Sequence, residues 1–329
     1  MGVLVHDDGR CVIDGRVVWP IRPDAGQVVI EPLEAEPGWW AGAPHVHYDE
    51  QDQRFYLYYR IRRPRGHAFE RGGEVRLAVG GDGVQFETIW RLLKTELSSE
   101  SIERGCLYRT VDGRWAMAFS YVDPADRRWR TDLMIADRPD AFRPADRQTV
   151  FAARPLGLEG VKDPFVFRLD DRYAMLLSIA RADAPADAER MHGGGDVYMT
   201  GLIKSATGLA TSDDGVTWHW EGEVLGPPAT GWDAYCTRIN SVIAVGGGWV
   251  GFYDGSRDET ENFEECCGLC VSDDCRAWRR LTTDAPWVDW PHATGSMRYV
   301  NALHVGDELY YHYEAARPDG SHELRVQIA

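Results

Sequence analysis

Short apolar, aromatic-rich runs separated by polar turns mark this chain, and one run recurs along it. It reads Arg54-Phe-Tyr-Leu-Tyr-Tyr59, Arg114-Trp-Ala-Met-Ala-Phe119, Arg172-Tyr-Ala-Met-Leu-Leu177, Gly248-Trp-Val-Gly-Phe-Tyr253 and Glu308-Leu-Tyr-Tyr-His-Tyr313. From Phe55 through Trp115, Tyr173 and Trp249 to Leu309 the steps are 60, 58, 76 and 60 residues. Runs this short, rich in β-formers and bounded by Gly and Asp, predict strands. A second strand-like segment and a turn, such as Val111-Asp112-Gly113 or Leu169-Asp170-Asp171, precede each run, so each pair predicts a hairpin.

Four of the hairpins lead into a third strand that ends in a polar turn and an aromatic residue. Ala210-Thr-Ser-Asp-Asp-Gly-Val-Thr-Trp218 and Cys270-Val-Ser-Asp-Asp-Cys-Arg-Ala-Trp278 are two of these, and short segments such as 87–92 and 148–151 add a fourth strand. Five four-stranded antiparallel units at this period predict an all-β, five-bladed β-propeller in one domain over 1–329, because radial repetition protects sheet edges. The last unit stops at its third strand, 323–329. An N-terminal strand is therefore expected to close it, and Cys11-Val-Ile-Asp-Gly-Arg-Val-Val-Trp19 is the candidate. Helix formers at 182–190 fall in the 76-residue interval and read as an insertion.

The chain has 329 residues, 44% hydrophobic and 27% charged, which suits a globular core and excludes disorder. Lys and Arg number 36 against 52 Asp and Glu, and the net charge of −16 argues against nucleic acid and membrane surfaces as partners. No apolar run approaches the ~20 residues of a spanning helix, and the first residues lack a basic, then apolar, leader. A cytoplasmic location is the expectation. Seven cysteines, four of them crowded as Cys266, Cys267, Cys270 and Cys275, do not resemble a disulfide framework. Zinc is one reading of that crowd. The repeat favours strand packing, since Cys270 and Cys275 stand where Ala210 and Gly215 stand one unit earlier. The Asp213-Asp214 and Asp273-Asp274 pairs read as turn formers.

In a propeller the first strand of every blade lines the axis, so the five strand starts converge. They are Pro44-His45-Val46-His47, Ile102-Glu103-Arg104-Gly105, Val161-Lys162-Asp163-Pro164, Thr237-Arg238-Ile239-Asn240 and Met297-Arg298-Tyr299-Val300-Asn301. All are polar or charged where packing alone would select apolar residues. Converging carboxylates suit glycosidic chemistry, in which one carboxyl protonates the leaving oxygen and another activates water or attacks the sugar. Glu103 and Asp163 are the catalytic candidates, with Asp233, Asp254 or Glu314 as a possible third acid. His45, His47, Arg104, Lys162, His192, Arg238, Asn240, Arg298 and Asn301 are expected to bind substrate, with Trp40 and Trp232 as stacking surfaces. His192 lies in the long loop 180–204, a natural lid, whose Gly193-Gly194-Gly195 run signals flexibility. His45 and His47 point to one side of a strand and are read as hydrogen-bonding groups in preference to metal ligands. No cofactor or metal is expected, and the partner is a small saccharide or glycoconjugate, an anionic one included. The competing reading of the same residues is a structural ion-pair network in a wet channel.

At these residues the chain resembles the five-bladed propeller glycoside hydrolases of families 32, 43, 62, 117 and 130. Val161-Lys162-Asp163-Pro164-Phe165-Val166-Phe167 with Asp171-Arg172-Tyr173-Ala174-Met175 is similar to their Arg/Lys-Asp-Pro strand and aromatic hairpin. Ser212-Asp213-Asp214-Gly215-Val216-Thr217-Trp218 resembles their Ser-x-Asp-Gly-x-x-Trp turn, which sialidase-like propellers also carry. The resemblance spans essentially the whole chain and implies three acids on first strands of different blades. The chain departs from it in the first blade, where Ala43-Pro44-His45 stands in place of the usual Asp. Glu103 stands where related enzymes commonly have Asp, and Asp163 where hydrolases often carry the general acid Glu. The sequence is compatible with permuted roles, a third acid from elsewhere, phosphorolysis with phosphate as nucleophile, a noncatalytic sugar-binding propeller and a non-hydrolytic biosynthetic enzyme.

Overall fold

A computed structural model describes all residues except Met1, Asp7, Asp8, Asp183, Pro185, Ala186 and Gly195. The chain is mostly β, arranged as successive four-stranded antiparallel meanders. The first unit runs Trp40–Asp49, Arg54–Arg63, Arg71–Gly80 and Glu87–Leu93, and the second Ile102–Arg109, Trp115–Val122, Trp129–Ala136 and Gln148–Phe151. The third comprises Gly160–Leu169, Arg172–Ala182, Ile203–Ser212 and His219–Leu225; the fourth, Cys236–Val245, Gly248–Ser256, Cys266–Ser272 and the two-residue Arg279–Arg280. The fifth holds Met297–Val305, Glu308–Ala316 and His322–Ile328.

Its fourth strand comes from the N-terminal region, but not from the expected segment. Gln27–Ile30 pairs with His322–Ile328. Cys11–Ile13 and Arg16–Val18 instead fold on each other and, with Val3–Val5, form a separate three-stranded sheet. The reason is local: Asp14 (φ 47°) and Gly15 (φ 82°) both take left-handed backbone, and Asp-Gly between short β segments favours a tight hairpin.

Apolar clusters lie between neighbouring units. Tyr58, Leu77 and Leu92 of the first pack on Leu107, Trp115 and Phe119 of the second, and Leu176 and Leu209 of the third meet Val242 and Tyr253 of the fourth. Leu324 and Val326 of the fifth return to Leu57 and Val46 of the first. Both faces of each sheet are therefore covered, which explains second strands that read as almost unbroken aromatic and aliphatic runs. The first strands lie against one another in sequence order, and Met297–Val305 also packs against Trp40–Asp49.

The 182–190 segment and the glycine run lie partly outside the described residues. The rest of that insertion contains the one-turn helix Ala188–His192, N-capped by Asp187, whose Oδ1 accepts from the Glu189 and Arg190 backbone N–H groups. At the predicted turn, Asp214 Oδ1 accepts from the backbone N–H groups of Val216 and Thr217, each at 2.7 Å. Among the described residues no helix is long and apolar enough to cross a membrane.

Candidate functional site

Every first strand carries one extra residue near its start. The register shifts between Gly42 and His45, Lys162 and Phe165, Ile239 and Ser241, Arg298 and Asn301, and opposite Phe119 and Tyr121 for the strand holding Glu103. Such bulges re-aim side chains. By register, Ala43, Glu103, Asp163, Ile239 and Tyr299 are equivalent, so the two expected acids occupy matching places in neighbouring units and the first unit offers an alanine. Ala43, Asp163 and Tyr299 sit at φ of 52°, 55° and 52°. Left-handed backbone at a residue with a Cβ costs on the order of 1–3 kcal/mol and persists where its surroundings impose it.

A buried ion network surrounds this layer. Arg60 donates to Glu103. Arg238 Nη2 donates to Glu265 Oε1 at 2.6 Å and lies 3.4 Å from Asp254 Oδ2. Arg298 donates to Glu265 through Nη1 and to Glu314 Oε1 through Nε (3.0 Å) and Nη2 (2.7 Å). Glu314 also accepts from His322 Nδ1 at 2.8 Å, while its Oε2 accepts the Ala43 backbone N–H at 2.8 Å. A Cβ on Gly42 would collide with that carboxylate. The fifth unit thus delivers a carboxylate beside the place where the first unit lacks one.

Against the upward push of burial, Arg298, His322 and Arg60 hold the Glu314 carboxyl well below the carboxylate range. Arg238 and Arg298 do the same for Glu265, whereas burial raises Asp254, its neighbour on Arg238. His322 is pushed down by burial but raised overall by Glu264 and Glu314, which its two ring nitrogens face at 3.1 and 2.8 Å.

Asp163 is bonded differently. It is 2% exposed, and neither carboxylate oxygen has a hydrogen-bond partner among the described residues. Lys162 Nζ lies 3.2 Å and Arg238 Nη1 4.0 Å from Oδ2, and the Asp163 N–H donates to Ser120 Oγ at 3.0 Å. Lys162 itself is caged by the rings of Trp129 (5.1 Å) and Tyr198 (4.7 Å), and burial lowers its pKa. Unpartnered polar atoms are also found on Arg60 (Nε, Nη2), Arg238 (Nε), Asn240 (Nδ2) and Trp40 (Nε1). The Tyr299 ring lies among four guanidiniums, those of Arg298, Arg238, Arg60 and Arg104, at 5.1, 5.6, 6.0 and 6.0 Å.

Several expected substrate-binding residues are engaged by groups of the protein itself. Arg104 donates to Pro44 O (2.8 Å), Asn240 O (2.7 Å) and Asn301 Oδ1 (3.3 Å), spanning the axis between units. Asn301 Nδ2 donates to Val46 O, and His45 Nδ1 accepts the Leu107 N–H at 3.3 Å, with burial keeping the imidazole neutral. These four residues plug the axis. His47 lies beyond the plug, 3.8 Å from Asp49 and edge-on to Trp115. Asp233 is held by Arg280 (2.6 and 2.7 Å) and Tyr253 (2.8 Å), and Trp232 stacks on Tyr253 while donating to Thr282 O. Neither joins the Asp163 layer. His192 is buried against Glu159, its Nε2 2.8 Å from Oε2.

Conversely, Arg60, Phe263, Glu265 and His322 were missed. Arg60 had a signal: with Asp254 and Glu314 it closes an apolar second strand, opposite Gly42, Arg238 and Arg298 respectively. Glu265 lies just ahead of a third strand, where no periodicity marks it. The Cys266–Cys275 cysteines are unpaired thiols packed into strands and turns; Cys270 Sγ donates to Gly251 O.

No family model and no curated protein matches the chain. Solved structures do. A structure of the GH130 family of mannoside phosphorylases, which contains glycoside hydrolases that target β-1,2-mannosidic linkages in Candida mannan, aligns with TM-score 0.61 over 93% of this chain and 96% of that one, at 14% identity. The β-1,2-mannobiose phosphorylase of Listeria innocua aligns with TM-score 0.59 over 94% and 92%, at 15% identity. A thermostable family-43 glycoside hydrolase aligns with TM-score 0.62 over 88% of each chain, at 13% identity. The likeness is one of fold, and these neighbours belong to β-propeller families of glycoside hydrolases and phosphorylases.

Proposed function

We propose that residues 1–329 form a single five-bladed propeller domain that breaks a glycosidic bond of a small saccharide at the strand-start end of its axis. Asp163 carries this reading. A carboxyl group held on left-handed backbone, buried, flanked by Lys162 and Arg238 and left without a hydrogen-bond partner is costly for the fold. Its use is acid/base catalysis at the glycosidic bond, in which the carboxylate takes up a proton from the substrate or the incoming nucleophile and passes it to the departing oxygen. Glu103, ion-paired with Arg60, offers a fixed negative charge one unit away that orients the sugar and stabilises positive charge developing at its ring. The saccharide assignment also draws on the neighbours' activities, which is fold-level analogy.

Phosphate is favoured over water as nucleophile by one observation. Glu314, Glu265 and Asp254 are engaged by arginines and Ala43 supplies nothing, so a second free carboxylate to activate water is not among these residues. The unpartnered N–H groups of Arg60 and Arg238 suit a phosphate oxygen. A glycoside panel run with and without phosphate tests both readings. Turnover only with phosphate means phosphorolysis, turnover in both means hydrolysis, and binding without turnover means a sugar-binding propeller. Asp163→Asn is expected to lower turnover roughly 10²–10⁴-fold with ligand affinity retained. Full turnover in both Asp163→Asn and Glu103→Gln ends the assignment.

A further inference from the structure

We propose that the outer face of Trp40 is a sugar-ring subsite that Arg62 occupies as a removable stopper. The proposal rests on the reading that a saccharide is processed beside Asp163. The Arg62 guanidinium carbon lies 4.1 Å from the Trp40 ring centroid and 4.2 Å from that of Phe263. His322 stacks on Trp40 at 4.3 Å with planes 14° apart, so arginine and imidazole take opposite faces of the indole. A column follows from partly exposed Phe263 and Arg62 to buried Trp40, then Arg298 (5.0 Å from Trp40) and Tyr299 (5.1 Å from Arg298). It runs from the surface to the layer that holds Asp163.

Arg62 is the weakly held member of this column. Among the described residues it has no carboxylate within 4.0 Å, unlike Arg60, Arg238 and Arg298, which are all ion-paired. Burial and the charges of Arg60, Arg298 and Arg71 all disfavour its cation, and Asp196 alone among its main neighbours favours it. Stacking holds it in place. Phe263 is itself at φ 80°, in the segment between the second and third strands of the fourth unit, so one wall of the slot is strained. The other wall is fixed: Trp40 pairs with His322, whose N–H donates to Trp39 O at 3.1 Å.

The ligand class follows from what the slot and the layer beneath it present. An indole face accepts the C–H face of a pyranose. Below it, the unpartnered groups of Trp40, Arg60, Arg238 and Asp163 match a hydroxyl-rich edge. A cationic ligand would meet Arg60 and Arg298, so the subsite suits a neutral or anionic sugar ring that displaces the Arg62 head into solvent. Long arginine stems make such a swing accessible.

The sign of one substitution separates a stopper from a binding residue. Arg62→Ala should speed amide hydrogen exchange at 160–163 about tenfold or more. It should also tighten binding of at least one sugar in a panel of mannose, β-1,2-mannobiose, arabinobiose and glucuronic acid by about tenfold. Trp40→Leu added to Arg62→Ala should abolish that gain. Phe263→Gly, which relieves a left-handed φ and so retains the fold, should also speed exchange at 160–163. Unchanged exchange in both single variants, or binding that weakens or stays level in Arg62→Ala, overturns the proposal. If the wild type cleaves a glycoside and Arg62→Ala binds it no better, the stopper fails and the activity stands. If Arg62→Ala binds a sugar more tightly and no form cleaves it, the activity fails and the subsite stands.

Discussion

The two ends of the first strands are built from the same repeat and have opposite characters. At the starts, Arg60, Arg238 and Arg298 interlock with Glu103, Asp254, Glu265 and Glu314, the backbone is strained at three equivalent places, and Asp163 is sealed from solvent. At the opposite end a cavity of about 320 Å³ opens between Val46, Phe165, Val166, Val242 and Ile243, with His47, Glu50 and His304 at its rim. Arg104, His45, Asn240 and Asn301 separate the two. The accessible cavity mixes apolar side chains with His45, His47, Asn301 and His304, while the unpartnered groups of Asp163, Arg60 and Arg238 and the three strained strand starts lie at the closed end. Strain and unpaired polarity are costs that a fold retains for function or specificity, so they make the closed end, and not the visible opening, the place to test for chemistry.

The sharpest way to break this contrast is Glu314→Ala. It removes the acceptor shared by Arg298, His322 and the Ala43 N–H, leaving a buried guanidinium half-paired. A loss of about 3–5 kcal/mol in denaturant unfolding is expected. Glu50→Ala, at the exposed rim of the opposite cavity, should stay within about 0.5 kcal/mol. A loss below about 1 kcal/mol in Glu314→Ala would mean that the network is not structural and would return Glu314 to the list of reacting acids.

Much of this was legible beforehand, for physical reasons that also explain the failures. The hairpin repeat was readable because both faces of each sheet are buried, so strands such as Arg54–Arg63 carry long aromatic runs. Equivalence of Glu103 and Asp163 followed from the same repeat. What could not be read was which polar residues near the axis face one another. Arg104 stands one position after Glu103, yet the bulge sends it across the axis to Pro44 and Asn240. A one-residue bulge leaves no compositional trace. The closing strand was misplaced because Cys11–Trp19 reads as one β run until the Asp14-Gly15 turn is weighed. Arg62 and Phe263 are distant in sequence, and their contact belongs to tertiary structure alone.

Histidines give the contrast a pH signature of opposite sign. His322 is raised above its unfolded value by Glu264 and Glu314, which Thr294 and Arg298 engage in turn, and Trp40 stacks on its ring. Its contribution is complete below the unfolded pKa of about 6.5 and is lost as pH rises through the higher folded value. His312, buried against Gly83 O at 2.7 Å, is lowered to about 4 by burial. The unfolded chain therefore takes up that proton first, and stability falls as pH drops from about 6.5 towards 4. Each effect is limited to about 1.4 kcal/mol per pH unit. His322→Gln should flatten the alkaline limb of a stability–pH curve and His312→Gln the acid limb. Identical curves for the two variants would refute the assignment.

The smallest and most discriminating comparison uses two aspartates of one strand and its turn. Asp163 (φ 55°) is buried at the start of Gly160–Leu169, and Asp170 (φ 53°) is exposed in the turn just past its end. Glycine relieves left-handed strain at either place, so Asp170→Gly should raise stability by about 1 kcal/mol, read as a shift in the denaturant midpoint, while in Asp163→Gly the gain is offset by the carboxylate lost beside Lys162 and the net change should stay within about 1 kcal/mol. Function should divide them. Asp170→Gly keeps full turnover because the turn has only a backbone role, whereas Asp163→Gly loses turnover with little net change in stability. If Asp163→Gly is instead destabilised by more than about 1 kcal/mol, its carboxylate is needed to neutralise Lys162 and Arg238. The closed end would then be an ion-pair core of the propeller, with no acid to spare for a substrate.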